Sequence, residues 1–508
     1  MTLRSPLPSG SPRRWALTSA LLVAILGAVL LAGCRGSVQT SAVAPGSIRA
    51  PISGVDAARL MNDLTTSRVA ARDALKAIVT AHDPRFIAAL IETMRASQVG
   101  VLTTVDDVTV INALETLSGK RFGDDWPMWS EWYGATALVP PPGFTGWKGR
   151  LLGRLDPHFR EFLSDAAPSR IRVEEIQWGG VAVDGIPALT HPKMIPAASA
   201  TYLLPEEPVF ALSINGYARA YPLRILDWHE MVNDRVGGVP VSLAYCTLCG
   251  AGIAYDGRAS NGVTYTFGSS GLLFRSNKLM YDRQTRTLWN QLTGEPVLGK
   301  LARTGVRLTL RPLVLSSWGE WLAEHPETKV LDAHTGYERT YAPGTPYGQY
   351  FASPGTMFPV WRRSRVLPLK ARIYALRIAG TPKAFPADIL ATRRVVNDAV
   401  GGTPVVLIAK SRAVTVNGQR SGGPLDRIHG AQVAYSAGVE VRAFRRGSDR
   451  FQPGPDPDVV LDGSSRPWRV TEAALIGPGG IRAARVPGFL AYWFAWYAFF
   501  PQTLVYHP

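Results

Sequence analysis

Two cysteines stand three apart in the run Tyr245-Cys246-Thr247-Leu248-Cys249-Gly250. The Cys-x-x-Cys spacing sets two sulfurs on one side of a tight turn, where they can share a metal ion or close a disulfide. One such turn supplies two ligands, and a closed zinc site takes four. His229, expected on a helix just before the cysteine-bearing strand, is the first candidate for another; Met280 and Asp282 are further ones. Two thiolates with an imidazole, with or without a thioether, suit copper or zinc. Gly250, directly after the pair, resembles a metal knuckle, because a residue without Cβ lets backbone N–H groups approach thiolates. The same residues admit two other readings. The pair can cycle between dithiol and disulfide, with His229 lowering a thiol pKa. It can equally be a structural disulfide, with His229 and Glu230 merely capping or hydrogen bonding. The surroundings are unlike thioredoxin, since the motif leaves one strand and enters another. Asp227, Glu230, Met280, Asp282, Arg283 and Trp289 are the candidates for lining a cleft beside the sulfurs. For Asp282, Arg283 and Trp289 packing and an Asp–Arg pair are the favoured roles. No phosphate loop, dinucleotide fingerprint or His-Glu-x-x-His occurs, so no nucleotide cofactor is expected. No catalytic role is assigned to any residue.

The elements that must hold this group are short and broken by Gly and Pro from about residue 170 onward. Val209–Ile214 and Ala218–Tyr221 read as a hairpin turning at Asn215-Gly216, a pair that tolerates positive φ. Ile225–Val236 reads as a helix stopped by Gly237-Gly238. Val239–Tyr245 reads as the strand that delivers Cys246. Strands are expected again at 252–255, 263–267, 278–281 and 287–292. Antiparallel pairing on this scale, mixed with helices, makes an α+β fold.

Shifted by 164 residues, the chain overlays itself. Val209–Cys246 aligns without a gap with Ile373–Lys410, and 17 of the 38 positions are identical. The shared residues are turn formers and apolar residues, among them Gly216/Gly380, Pro222/Pro386, Asn233/Asn397, Gly237/Gly401 and Gly238/Gly402. Farther on, Asp282 and Trp289 match Asp462 and Trp468, and Trp321 and Thr328 match Trp496 and Thr503. This is the pattern of a duplicated domain whose loops have drifted. The differences fall on the chemical residues. Asp227 faces Ala391, His229 faces Arg393, Glu230 faces Arg394, Cys246 faces Lys410 and Cys249 faces Ala413. Those groups are therefore not required for folding, and any site is confined to the first copy.

Ahead of the repeat, residues 54–135 carry apolar residues at helical spacing, including Leu60, Leu64, Val69, Leu75, Ile78, Val108, Ile111 and Leu114. They predict a small all-helical, HEAT-like domain of about four stacked helices. The aromatic run Trp126–Trp132 is expected to be a packing seam. Domain limits of 150–365 and 366–508 follow for the two copies, packed as a pseudo-dimer.

The N-terminus reads as an export signal. Arg4, Arg13 and Arg14 precede an apolar stretch from Ala16 to Leu31, which ends in Leu31-Ala32-Gly33-Cys34. That ending resembles the bacterial lipobox, which implies cleavage after residue 33 and acylation of Cys34. Arg13-Arg14-Trp15 also resembles a twin-arginine signal. Residues 34–53 read as a flexible tether. The formal charge is +16, and removing residues 1–33, with three arginines and no acid, leaves +13. The charge is scattered rather than clustered, which argues against nucleic acid and for a solvated surface near anionic lipid. The expected partner is thus the lipid membrane, through Cys34, on the periplasmic or outer side. No feature names a protein partner.

The combination Gly185-Ile186-Pro187-Ala188, Ala220-Tyr221-Pro222, His229-Glu230, Asn233-Asp234, Tyr245–Gly250, Phe267-Gly268, Tyr281-Asp282-Arg283 and Leu288-Trp289 resembles the bacterial family called domain of unknown function 3179. The likeness runs from about residue 170 to 508, counting the degenerate second copy. It departs at Thr247, where the family usually has Pro, and in the second copy, which lacks the His and Cys motifs. The resemblance implies no established activity. The favoured expectation is an envelope lipoprotein with a Cys246/Cys249/His229 metal site. A thiol–disulfide oxidoreductase and a non-catalytic interaction module with a structural disulfide are the alternatives.

Overall fold

The computed structural model describes residues 51–419 and 432–508, without the side chains of residues 411–413 and 419. Cys34, the signal segment 1–33 and nearly all of the tether lie outside the described residues.

The chain begins as helices. Ser53, Ser67, Asp106 and Asp125 each accept a backbone N–H of the first turn that follows, at Gly54–Thr66, Arg68–Ala81, Asp107–Ser118 and Trp126–Gly134. Ala57, Leu60, Leu64, Leu75, Ile78, Val110 and Leu114 fill one core with Trp129 and Tyr133. Val69 and Val108, read from the sequence as part of that face, point to solvent. The helices also continue past 135. Phe144–Leu152 adds Phe144, Trp147 and Leu151 to the same core. Their spacing is helical, but it is hidden behind Pro140-Pro141-Pro142. Buried Lys148 ties this segment to the strands beyond, donating to Glu92 Oε1 at 2.7 Å and to the carbonyls of Val173 and Ile176.

From residue 176 the fold is α+β and mainly antiparallel. Pro208–Ile214 and Tyr217–Pro222 form the expected hairpin, with Asn215 and Gly216 at φ 52° and 82°. The next helix is shorter than its sequence suggests. It runs only Leu223–His229, and Glu230 at φ 53° breaks it. Met231–Val236 is a strand, paired antiparallel with Val239–Cys246 through a Gly237-Gly238 turn at φ 54° and 83°. Both glycines are therefore hairpin residues and not a helix stop. Gly237 is obligatory, since a Cβ there would lie 2.3 Å from the Ile214 carbonyl oxygen. The strand expected at 263–267 starts instead at Phe267 and runs to Phe274.

Region 372–505 repeats these steps. Arg372–Ile378 and Thr381–Pro386 pair in the register of the first hairpin, Ile373 opposite Pro386 as Val209 is opposite Pro222. Helix Ala387–Arg393 ends at Arg394, φ 61°, and strands Val395–Val400 and Thr403–Gln419 follow. Side-chain details recur. Asn233 and Asn397 each clamp a Phe backbone, at Phe267 and Phe451. Trp289 and Trp468 each donate to an Asp, at 2.8 and 3.0 Å. Trp321 and Trp496 each donate to a Thr seven residues on. One apolar core runs from Leu189 to Phe500 through both regions.

Candidate functional site

Strand Val239–Cys246 and strand Ala251–Asp256 are joined by the turn that holds both thiols. Cys246 and Cys249 are unbonded and buried, with their sulfurs 2.7 Å apart. The Cys246 thiol donates to Cys249 Sγ, and the Cys249 thiol in turn donates to the Ser276 carbonyl at 3.4 Å. Asn277 Nδ2 donates to Cys249 Sγ at 3.3 Å and is oriented by Gln291, whose amide bridges the Ala244 and Ala251 carbonyls of the two strands. Burial, and then the neighbouring Cys246, push the Cys249 thiol well above its ordinary pKa. The Cys249 thiol rests in the neutral form, and a donor is in place there for the thiolate when one forms.

Glu230, rather than His229, touches the turn. Its left-handed backbone places its carbonyl to accept the Tyr245 N–H at 2.7 Å. Its carboxylate accepts from Thr247 Oγ1 at 2.9 Å and from buried Lys278 at 3.0 Å. Thr247, between the two cysteines, thus supplies a hydroxyl that fixes the turn to Glu230.

His229 faces elsewhere. Its Nδ1 lies 2.8 Å from the Pro187 carbonyl, an acceptor only, so the ring proton sits on Nδ1. Nε2 then accepts from the Tyr341 hydroxyl at 2.5 Å, and Thr335 Oγ1 lies 2.6 Å from that hydroxyl. Burial holds the imidazole below its ordinary pKa, partly offset by the Pro187 carbonyl. Among the described residues no group of three or more His, Cys, Asp or Glu side chains stands together as a metal-binding set.

The remaining sequence candidates separate into two sets. Asp227 is buried one turn before Glu230. Burial, then Glu230, push its carboxyl well above the usual range against the pull of Arg372, and its Oδ1 is without a hydrogen-bond partner. Met280 lies in the core. Asp282 closes its own turn, accepting from Thr285 N, Thr285 Oγ1 and Trp289 Nε1. Arg283 pairs with Asp184 at 2.9 and 3.0 Å, so the arginine's acid is Asp184 and not its neighbour Asp282. Asp282 and Trp289 are buried and bonded to each other, and Arg283 is half exposed.

Five contacts had no sequence signal beyond residue type. Tyr341, Tyr347 and Tyr350 come from one covering segment, 335–352, and reach His229, Thr247 and the Leu248 carbonyl. Tyr492 donates its backbone N–H to the Cys249 carbonyl at 2.7 Å. Arg372 donates to the Gly250 carbonyl at 3.4 Å. Gly250 owes its identity to these last two. At φ 58° a Cβ would lie 2.8 Å from the Arg372 guanidinium and 3.0 Å from the Tyr492 ring. Its missing side chain admits these neighbours, whereas the sequence suggested that it opened the turn to the thiolates.

A family model described as "Protein of unknown function (DUF3179)" matches residues 183–503. No curated protein and no solved structure matches the chain.

Proposed function

The chain belongs to the DUF3179 family, and from the geometry of its turn we propose that Cys246 and Cys249 are a two-electron thiol–disulfide pair in a covered pocket. The observation that carries this reading is the pair itself: two free sulfurs 2.7 Å apart with Asn277 donating to one of them. One thiolate attacks an external disulfide and releases the first thiol. The other then attacks the mixed disulfide, forming the Cys246–Cys249 bond and releasing the second. Two protons and two electrons thus pass to the external partner. Access requires the 335–352 segment to lift. His229 serves this reading as the latch for Tyr341. A metal reading, copper or zinc on Cys246, Cys249 and His229, draws support from the fixed Nδ1–H, which leaves Nε2 as a lone-pair donor once Tyr341 departs.

The chain is further proposed to be exported, cleaved before Cys34 and held to the membrane by acyl chains there. A helical domain, the site-bearing domain and a second copy that arose by duplication follow the tether. The matching registers and the paired Asn, Trp and Thr contacts support that origin.

Metal analysis and thiol titration on one sample of the full chain test the site. The redox reading expects no stoichiometric metal, two thiols after reduction and none after oxidation by a small disulfide. Stoichiometric copper or zinc that is lost in both Cys246→Ser and His229→Ala would replace it with the metal site. A disulfide that resists reduction in the native state would leave only a structural role.

A further inference from the structure

A cavity of about 830 Å³ opens beside the thiol turn, on the far side of Arg372 and Tyr492. Leu369, Ala391 and Val439 contribute to a mostly apolar wall. Two cations, Lys370 and Arg372, line the same space. Volumes of this order hold small-molecule ligands, and a few polar groups on apolar walls set their orientation.

Among the described residues, the cations lack matching negative charge. Lys370 is pressed down to about 8 by burial and then by Arg372, with no carboxylate pulling it back. Arg372 acts on Asp227, which burial holds neutral. Asp388 also lines the cavity, but it is exposed and accepts its own helix N–H from Ile389. Donors remain as well. Lys370 spends N–H groups on the Tyr350 and Ser353 carbonyls, two of its three. Arg372 spends three of five, on the Ser436 and Gly250 carbonyls and the Tyr492 hydroxyl.

We propose that this cavity binds an amphipathic anion, with an apolar chain or ring against Leu369, Ala391 and Val439 and one carboxylate or phosphate head at Lys370 and Arg372. The head completes the donor sets of two half-buried cations, and the body displaces water from apolar walls. Nothing in this assignment depends on the redox state of the cysteines.

The test is isothermal titration of the full-length chain in zwitterionic nanodiscs, with empty nanodiscs as blank. Octanoate, octyl phosphate and octanol are the probes. Octanoate or octyl phosphate is expected to bind one to one, and octanol about tenfold or more weakly, the difference a charge-assisted hydrogen bond makes. The tighter of the two anions identifies the head group. Lys370→Met should weaken the anions about tenfold and leave octanol within about twofold. Ala391→Trp, which fills the cavity from its wall, should abolish binding of all three while the melting temperature is kept. Equal affinity for octanoate and octanol, or anion binding that survives Ala391→Trp, would overturn the proposal.

Discussion

Cys246 and Lys410 occupy the same step of the same hairpin, and what surrounds them is opposite in kind. In the first region the strand ends at Cys246, the chain turns through four residues, and the buried groups are thiols, an amide and one ion pair. In the second the strand runs on to Gln419 as a long ribbon. Lys410 sits among Glu324, Glu440 and Asp458 at 2.9, 3.3 and 3.7 Å. Burial opposes its charge, but Glu440 and Glu324 hold the ammonium above its ordinary pKa. Arg442, buried, bridges Glu324, Glu440 and Glu472. The second region therefore does more than lose the first region's chemistry. It fills the equivalent depth with a charge network that it shares with Glu324 of the first region. The hairpin scaffold accepts any cluster that satisfies itself, so the thiols stand where the fold leaves composition free.

The largest expected effect tests which half is more fragile. Arg442→Met leaves three carboxylates without their shared partner and should cost about 3–5 kcal/mol in denaturant unfolding. Cys246→Ala removes only a small, weakly bonded group and should cost about 1–2 kcal/mol. If the cysteine variant proves the more damaging, the thiol pair is a structural keystone and the comparison fails. By the same logic, Lys410, held among three carboxylates, will not tolerate replacement freely.

A smaller contrast separates two glycines. Gly250 and Gly402 both have positive φ, but a Cβ at Gly402 meets open space. Gly402→Ala should cost about 1 kcal/mol, from backbone strain alone. Gly250→Ala must also displace Arg372 or Tyr492 and should cost about 2–3 kcal/mol. It should also speed modification of the native thiols, read with a colorimetric disulfide reagent. Equal losses would show that the bracing of the turn by the second region is slack.

The smallest effect is a pH dependence at His229, whose counterpart Arg393 cannot supply one. His229 is held below its ordinary value of 6.5, so the unfolded chain takes up the proton first on acidification. Its contribution is full above pH 6.5 and is lost as pH falls from there through the lower folded value. Protonated Nε2 can no longer accept from Tyr341, so thiol modification, taken relative to the unfolded chain at the same pH, should rise over the same range. His229→Gln should flatten both curves; a profile unchanged in that variant would separate the covering segment from the imidazole.

Much of the framework was legible because its determinants are local. Asn215-Gly216 announced its turn, and the 164-residue offset exposed the matching hairpins. The misreadings arose where tertiary demand overrode local pattern. Met231–Val236 read as helix because nothing nearby forbids it, and only Glu230 in a left-handed conformation, normally a glycine's, reveals the break. The site was legible in its cysteines and not in its neighbours. Lys278, Asn277, Tyr341 and Arg372 lie between 28 and 126 residues from Cys249 or Cys246 along the chain, and no periodicity brings them there. His229 was singled out by its residue type, while its direction is set by Pro187 and Tyr341.

The brace from Tyr492 to Cys249 is a main-chain amide. An alanine scan would register the loss of the Tyr492 ring and pass over the bond entirely, and drift at this position can change the side chain without touching it. Only proline, which lacks the N–H, or an amide-to-ester replacement made by chemical synthesis deletes it. Part of the dependence of the thiol turn on the far end of the chain is therefore written in backbone, where ordinary mutagenesis cannot read it.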